Sequence, residues 1–80
     1  MHNKHEEPVL ITAAMLAEWL NVSERHIHNL RNDGKLPAPV LLGRAVRWNA
    51  GEIQAWLAAG APERKAWEAM RALARKEPLR

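Results

Sequence analysis

The sequence predicts a small, mainly α domain with one β-hairpin and an added C-terminal helix. Three observations predict it. Two short segments of helical apolar spacing meet at Asn21-Val22-Ser23, where Asn21 suits a helix end and Ser23 a helix start. Two short apolar runs, Val40-Leu41-Leu42 and Val46-Arg47-Trp48, flank Gly43-Arg44-Ala45. Two further helical stripes follow Asn49 and Pro62.

Eighty residues make one domain with a modest core, too small for a deep substrate cavity. Four Trp and no Phe or Tyr is an unusual aromatic choice, and those Trp are expected to anchor the core. The absence of Cys removes disulfides and thiolate chemistry and suits a reducing cytoplasm. No apolar run is long enough to span a bilayer, so no membrane partner is expected. The polar opening residues do not read as a signal peptide. Residues 1–8 lack periodicity and are expected to form a disordered tail.

Each element has a local reason. After the apolar lead-in Val9-Leu10-Ile11, Thr12 caps a first helix over about 13–20, with Ala13, Leu16, Ala17 and Leu20 inward and Trp19 at the border. Ser23 caps a second over about 24–33, closed by Gly34. Two helices joined this tightly must cross at a large angle, as in a helix-turn-helix. Ile27 and Leu30 face inward, Arg25, Asn29 and Asn32 face away, His26 and His28 take the flanks, and Arg31 lies near the buried edge. Pro37 and Pro39 forbid further helix. Alternation then turns Val40, Leu42, Val46 and Trp48 inward and Leu41 and Arg47 outward. Two strands alone are marginal, so the hairpin must lean on the helices. Asn49 and Glu52 match a capping box for a third helix over about 50–59, with Ile53, Trp56 and Leu57 inward and Gly60 as its stop. Pro62 opens a fourth, 62–76, with the stripe Trp67, Met70, Leu73 and Ala74; residues 77–80 are expected to fray.

Charge is distributed unevenly. Residues 22–48 carry a net +3 and residues 61–80 another +3, whereas 1–21 carry −2 and 49–60 carry −1. The first basic cluster suits a polyanion. A helix fits the major groove of DNA, where Arg can fork onto guanine and Asn onto adenine. Arg25, His26, His28 and Asn29 therefore become candidate base readers, and Ser23 a candidate phosphate contact at the positive helix end. Lys35, Arg44 and Arg47 are candidate phosphate contacts from the helix exit and the hairpin. Plainer readings stand beside these: a solvated polar face for the helix, and a charged hairpin that resists edge pairing. The tight helix pair favours DNA. The basic groups Arg64, Lys65, Arg71, Arg75 and Lys76 offer either further phosphate contacts or a solvated face.

Other chemistries lack candidates. His26 and His28 are two apart and diverge on a helix, whereas a helical metal pair needs four. Glu24, Asp33 and Glu52 each have a capping or dipole role, and no nucleophile is paired with a base. No catalytic residue, metal site or cofactor is expected, and no enzymatic activity.

The run Leu16-Ala17-Glu18-Trp19-Leu20, Val22-Ser23, Ile27, Leu30-Arg31, Gly34-Lys35-Leu36-Pro37, Leu42-Gly43-Arg44, Val46-Arg47-Trp48 and Ile53-Gln54-Ala55-Trp56-Leu57 falls in order within residues 12–57. With it, residues 12–57 resemble the small winged helix-turn-helix proteins of the excisionase and AlpA-like phage regulator group, distant relatives of the MerR DNA-binding domain. The resemblance implies a winged helix-turn-helix over 9–60. It implies double-stranded DNA as partner, with helix 24–33 in the major groove and the Arg44 wing alongside. It also implies a prophage or mobile-element role, as excisionase acting with an integrase or as transcriptional regulator. Leu41 and Ala45 depart from the basic or polar residues common in such wings, so a weaker wing grip is expected. The segment 61–80 lies outside the resemblance. Its stripe is read as core closure, a self-association face or a docking helix. So small a reading surface predicts a homo-oligomer or a cooperative array on DNA.

Overall fold

The computed structural model describes residues 9–76. The tail expected over 1–8 and the frayed end over 77–80 lie outside them. In chain order the elements are β1 (Leu10–Ile11), α1 (Ala13–Leu20), α2 (Glu24–Asn32), β2 (Val40–Leu42), β3 (Ala45–Asn49), α3 (Ala50–Ala58) and α4 (Arg64–Lys76). They form a winged helix-turn-helix, mainly helical, with a small antiparallel sheet.

Helix ends follow directly from residue type. Thr12, Ser23 and Asn49 are the N-caps of α1, α2 and α3, accepting from the amides of Met15 at 3.1 Å, His26 at 3.0 Å and Glu52 at 2.8 Å. Each such cap contributes about 1 kcal/mol. The C-termini close by one device used three times. Val22 N–H donates to Ala17 O, Lys35 N–H to Leu30 O, and Ala61 N–H to Trp56 O. The preceding residues Asn21, Gly34 and Gly60 take positive φ, as this reversal requires. The first of these closures lets Ser23 cap α2 within two residues, and so sets the α1–α2 crossing.

The hairpin differs from expectation in strand count and in register. β1 is a strand, not a lead-in: Leu10 pairs with Asn49 and Ile11 with Trp48, which gives the order β1-β3-β2. The third strand supplies the support that a two-stranded wing would lack. The turn holds two residues, not three, because Leu42 pairs with Ala45. Gly43 has φ 63° and Arg44 a negative φ, the pattern of a type II′ turn. A one-residue change in turn length moves every β2 side chain to the opposite face. Leu41 therefore lies opposite Val46, on the face of Trp48, while Val40 and Leu42 share the other face with Arg47 and Ala45. The expected inward pair Val40 and Leu42 is exposed, at 36% and 53%. Leu41 is exposed as well, because β2 is an edge strand beyond the helices that bury Trp48.

The core holds Ile11, Leu16, Ile27, Leu36, Trp48 and Ile53, all essentially inaccessible, with Trp56 and Trp67 beside them. The preference for Trp over Phe has a polar reason. Indole N–H groups at Trp48, Trp56 and Trp67 donate to Pro37 O at 3.0 Å, Pro62 O at 2.7 Å and Glu52 Oε2 at 2.9 Å. Each ring fills the core while its N–H ties down a segment outside its own element. Trp19 is the exception and remains partly exposed.

Two further expectations fail at the C-terminal side. Leu57 is 41% exposed, although its spacing placed it inward, because Ile53 and Trp56 already fill the α3 contact. α4 starts at Arg64, not Pro62. Ala61 is left-handed (φ 54°), Pro62 O is engaged by Trp56, and Trp67 N–H to Glu63 O is the first helical bond. Along the α4 stripe Trp67 is buried, but Met70, Leu73 and Ala74 are exposed, so the stripe closes the core only at its beginning.

Candidate nucleic-acid interface

α2 is fixed by its buried side and its two ends. Ile27 is fully buried and Leu30 packs against the core. Ser23 Oγ caps one end, and the Gly34 reversal closes the other. What remains outward is polar: Ser23, Arg25, His26, His28, Asn29 and Asn32 are all exposed. Arg31 is half-buried, at the edge where its spacing placed it. The first amides of any helix lack intrahelical acceptors, and the helix dipole makes that end positive. The Ser23 end therefore offers hydrogen-bond donors to an anion. The flank is less uniform, since Glu24 Oε2 lies 3.9 Å from His28 Nε2. Among the described residues no carboxylate lies within 4.0 Å of the guanidinium of Arg25 or Arg44.

The three other candidate cations are placed differently. Arg44 occupies the second position of the β2–β3 turn and is exposed. Arg47 is half-buried, and its Nη1 donates to the Val46 carbonyl at 2.9 Å, which holds the side chain back along the strand. Lys35 Nζ is 3.2 Å from Glu63 Oε2, an intramolecular pair that an incoming phosphate has to displace. Both partners are about half exposed or more, so the pair contributes at most ~1 kcal/mol.

Sequence reasoning missed how residues outside the helix pair hold it. Its spacing from Asn49 makes Glu52 a capping-box residue. Its amide does bond Asn49 Oδ1, but its carboxylate accepts from Trp67 Nε1 at 2.9 Å and Arg71 Nη1 at 2.7 Å. Arg64 and Arg71, read as possible phosphate contacts, are engaged within the protein: Arg64 Nε donates to Leu36 O at 2.8 Å, and Arg71 binds Glu52. A local signal exists only for Glu52, whose capping role hides the second one. The Arg64 bond spans 28 residues and leaves no periodic trace.

Among the described residues no group of three or more His, Cys, Asp or Glu is placed to hold a metal ion. Among them, too, no helix is long and apolar enough to cross a membrane.

A family model described as a helix-turn-helix domain matches residues 10–61, from β1 through the residue that closes α3. No curated protein and no solved structure gives a significant match. The matched segment takes well over half of the chain and contains α1, α2 and the wing in order. The chain belongs to this helix-turn-helix domain family and is a DNA-binding protein of the regulator type.

Proposed function

We propose that the protein is a sequence-specific binder of double-stranded DNA that lays α2 in the major groove and the β2–β3 wing beside it. The observation that carries this is the division of α2: Ile27 is fully buried while Arg25, His26, His28 and Asn29 are all exposed on one capped helix. Arg25 and Asn29 are the side chains suited to fork onto guanine and adenine, with His26 and His28 at the flanks. Ser23, Arg44, Lys35 and Arg47 supply the positioning contacts to phosphate. Arg47 and Lys35 first exchange an internal partner for the backbone. The apolar strand Val40-Leu41-Leu42 contributes no charge, so the wing grips chiefly through Arg44.

The setting we infer is a prophage or mobile element, in a cytoplasm, with the protein acting as excisionase or transcriptional regulator and without enzymatic activity. This rests on the resemblance of residues 12–57. One copy reads few base pairs, so several copies bind together, as a dimer or side by side. Selection of binding sites from a random duplex pool tests the whole reading. Enriched direct repeats support an excisionase-like array, and recruitment of an integrase to the bound repeats would make that enzyme its partner; an enriched palindrome supports a symmetric regulator. A pool that returns no preferred sequence overturns sequence-specific binding.

A second reading has one observation in its favour. Met70 and Leu73 are 44% and 69% exposed on α4, which suits a docking face for a protein partner. Under that reading the domain recruits an integrase or another protein with little sequence selectivity. Equal affinity and equal salt dependence on random and selected duplexes favour it.

A further inference from the structure

We propose that α4 is an intramolecular brace that sets the pose of α2 on DNA, with Arg64 as the positioning residue and Glu52 as its anchor. This rests on the reading of α2 as the DNA-contacting helix.

The last carbonyls of a helix lack intrahelical donors and carry partial negative charge. At the end of α2 the reversal through Gly34 satisfies some of that need: Gly34 N–H donates to Arg31 O at 3.1 Å and Lys35 N–H to Leu30 O at 2.9 Å. Arg64 adds three donors from outside. Its amide meets Gly34 O at 3.0 Å, its Nε meets Leu36 O at 2.8 Å, and its Nη2 meets Arg31 O at 3.3 Å. One residue thus spans the last turn of α2, its exit glycine and the buried Leu36 beyond. A cation suits that end of a helix, and charged donors make the stronger bonds.

The other side of the brace is anchored on α3. Trp67 Nε1 and Arg71 Nη1 converge on the same oxygen of Glu52, and the Arg71 guanidinium lies 5.9 Å from the Trp67 ring centroid. Trp56 holds the approach through Pro62 O. The first two turns of α4 therefore tie the C-terminal end of α2 to the N-terminal end of α3. Without this tie α2 is held by the buried Ile27, by Leu30 against the core and by its turn from α1, all of which leave its C-terminal end without an outside partner. Base readout tolerates displacements of only about 0.5 Å and 10–20°. α4 lies outside the family match at residues 10–61, whereas the groups it bonds on Arg31, Gly34, Leu36 and Glu52 lie inside it.

The test uses the full chain carrying Arg64→Gln, Arg64→Lys or Glu52→Gln, at low temperature with the folded state checked by circular dichroism. Two readouts are taken: Kd on a selected and a random duplex across a salt series, and amide hydrogen exchange. For Arg64→Gln the selected-to-random affinity ratio falls about tenfold, while random-duplex affinity and salt slope stay as in the wild type. The amides of Gly34 and Lys35 exchange about tenfold faster, and those of Leu16 and Ile53 do not change. Arg64→Lys, which keeps the charge but not the fork, recovers part of both effects; Glu52→Gln shows both more weakly. Unchanged exchange at Gly34 and Lys35 overturns the brace, as does equal acceleration at every amide, which would mark a general loss of stability. Equal loss on both duplexes with a shallower salt slope also overturns it, by making Arg64 a phosphate ligand. A wild type without any preferred duplex overturns the role on DNA; the exchange data then decide separately whether α4 braces α2.

Discussion

α2 and α4 are both amphipathic helices with basic residues on the polar side, yet they use those residues in opposite ways. α2 turns its apolar residues onto the core and leaves Arg25, His26, His28 and Asn29 pointing away from it. α4 turns Arg64, Trp67 and Arg71 onto the protein and leaves Met70 and Leu73 exposed. The contrast teaches that positive charge on a helix does not identify a nucleic-acid contact. A guanidinium already bonded to carbonyls or to a carboxylate must give up those bonds before it can meet a phosphate.

The largest test of this contrast is in the core. Ile27→Ala should destabilise the domain by about 2–5 kcal/mol in urea unfolding, since it empties a fully buried site beneath the α2 face. A cost below about 1 kcal/mol would mean that α2 does not depend on that seam. Next comes the reading face itself. Arg25→Ala should relax preference at one or two base pairs by about 1–3 kcal/mol each, measured by competition among single-site variants of a selected duplex. Uniform weakening on all duplexes would reassign Arg25 to phosphate.

Smaller effects separate exposed cations from engaged ones. Arg44→Ala should weaken binding and reduce the salt slope by about 0.9, as one phosphate contact is lost; an unaltered slope would take the wing tip off the DNA. Glu63→Gln should do the reverse. It releases Lys35 from its 3.2 Å partner, so affinity for random duplex rises modestly. A decrease in affinity would show that the pair positions Lys35 for DNA instead of competing with it. The smallest effect expected is on the far end of α4, where Leu73→Ala should change stability by less than about 0.5 kcal/mol. A larger loss would place Leu73 in a contact between copies, and sedimentation at increasing concentration would reveal it.

Much of this architecture was legible residue by residue. Thr12, Ser23 and Asn49 cap the helices they were expected to cap, and Asn21, Gly34 and Gly60 adopt the left-handed conformations that end them. These are interactions within three to five residues, so chain order nearly specifies them. The inward Ile27 and outward Arg25 and Asn29 follow from helical spacing for the same reason. The wing was harder. β1 is only two residues long, too short for alternation to announce a strand, and its partner β3 lies more than thirty positions away. The face of each β2 residue depended on whether Ala45 belongs to the turn or the strand, a difference of one residue that inverts the entire strand.

Local chemistry therefore specified the first three helices, their ends and the polar face of α2, because capping and periodicity act over one or two turns. Folding in three dimensions settled which cations stay available. Arg64 and Arg71 look like Arg25 and Arg44 in the chain, but carbonyls of Arg31, Gly34 and Leu36 and the carboxylate of Glu52 lie beside the first pair. Those acceptors come from 19 to 33 residues away. A charged side chain takes its role from the partner it meets, and at such separations packing decides which partner that is.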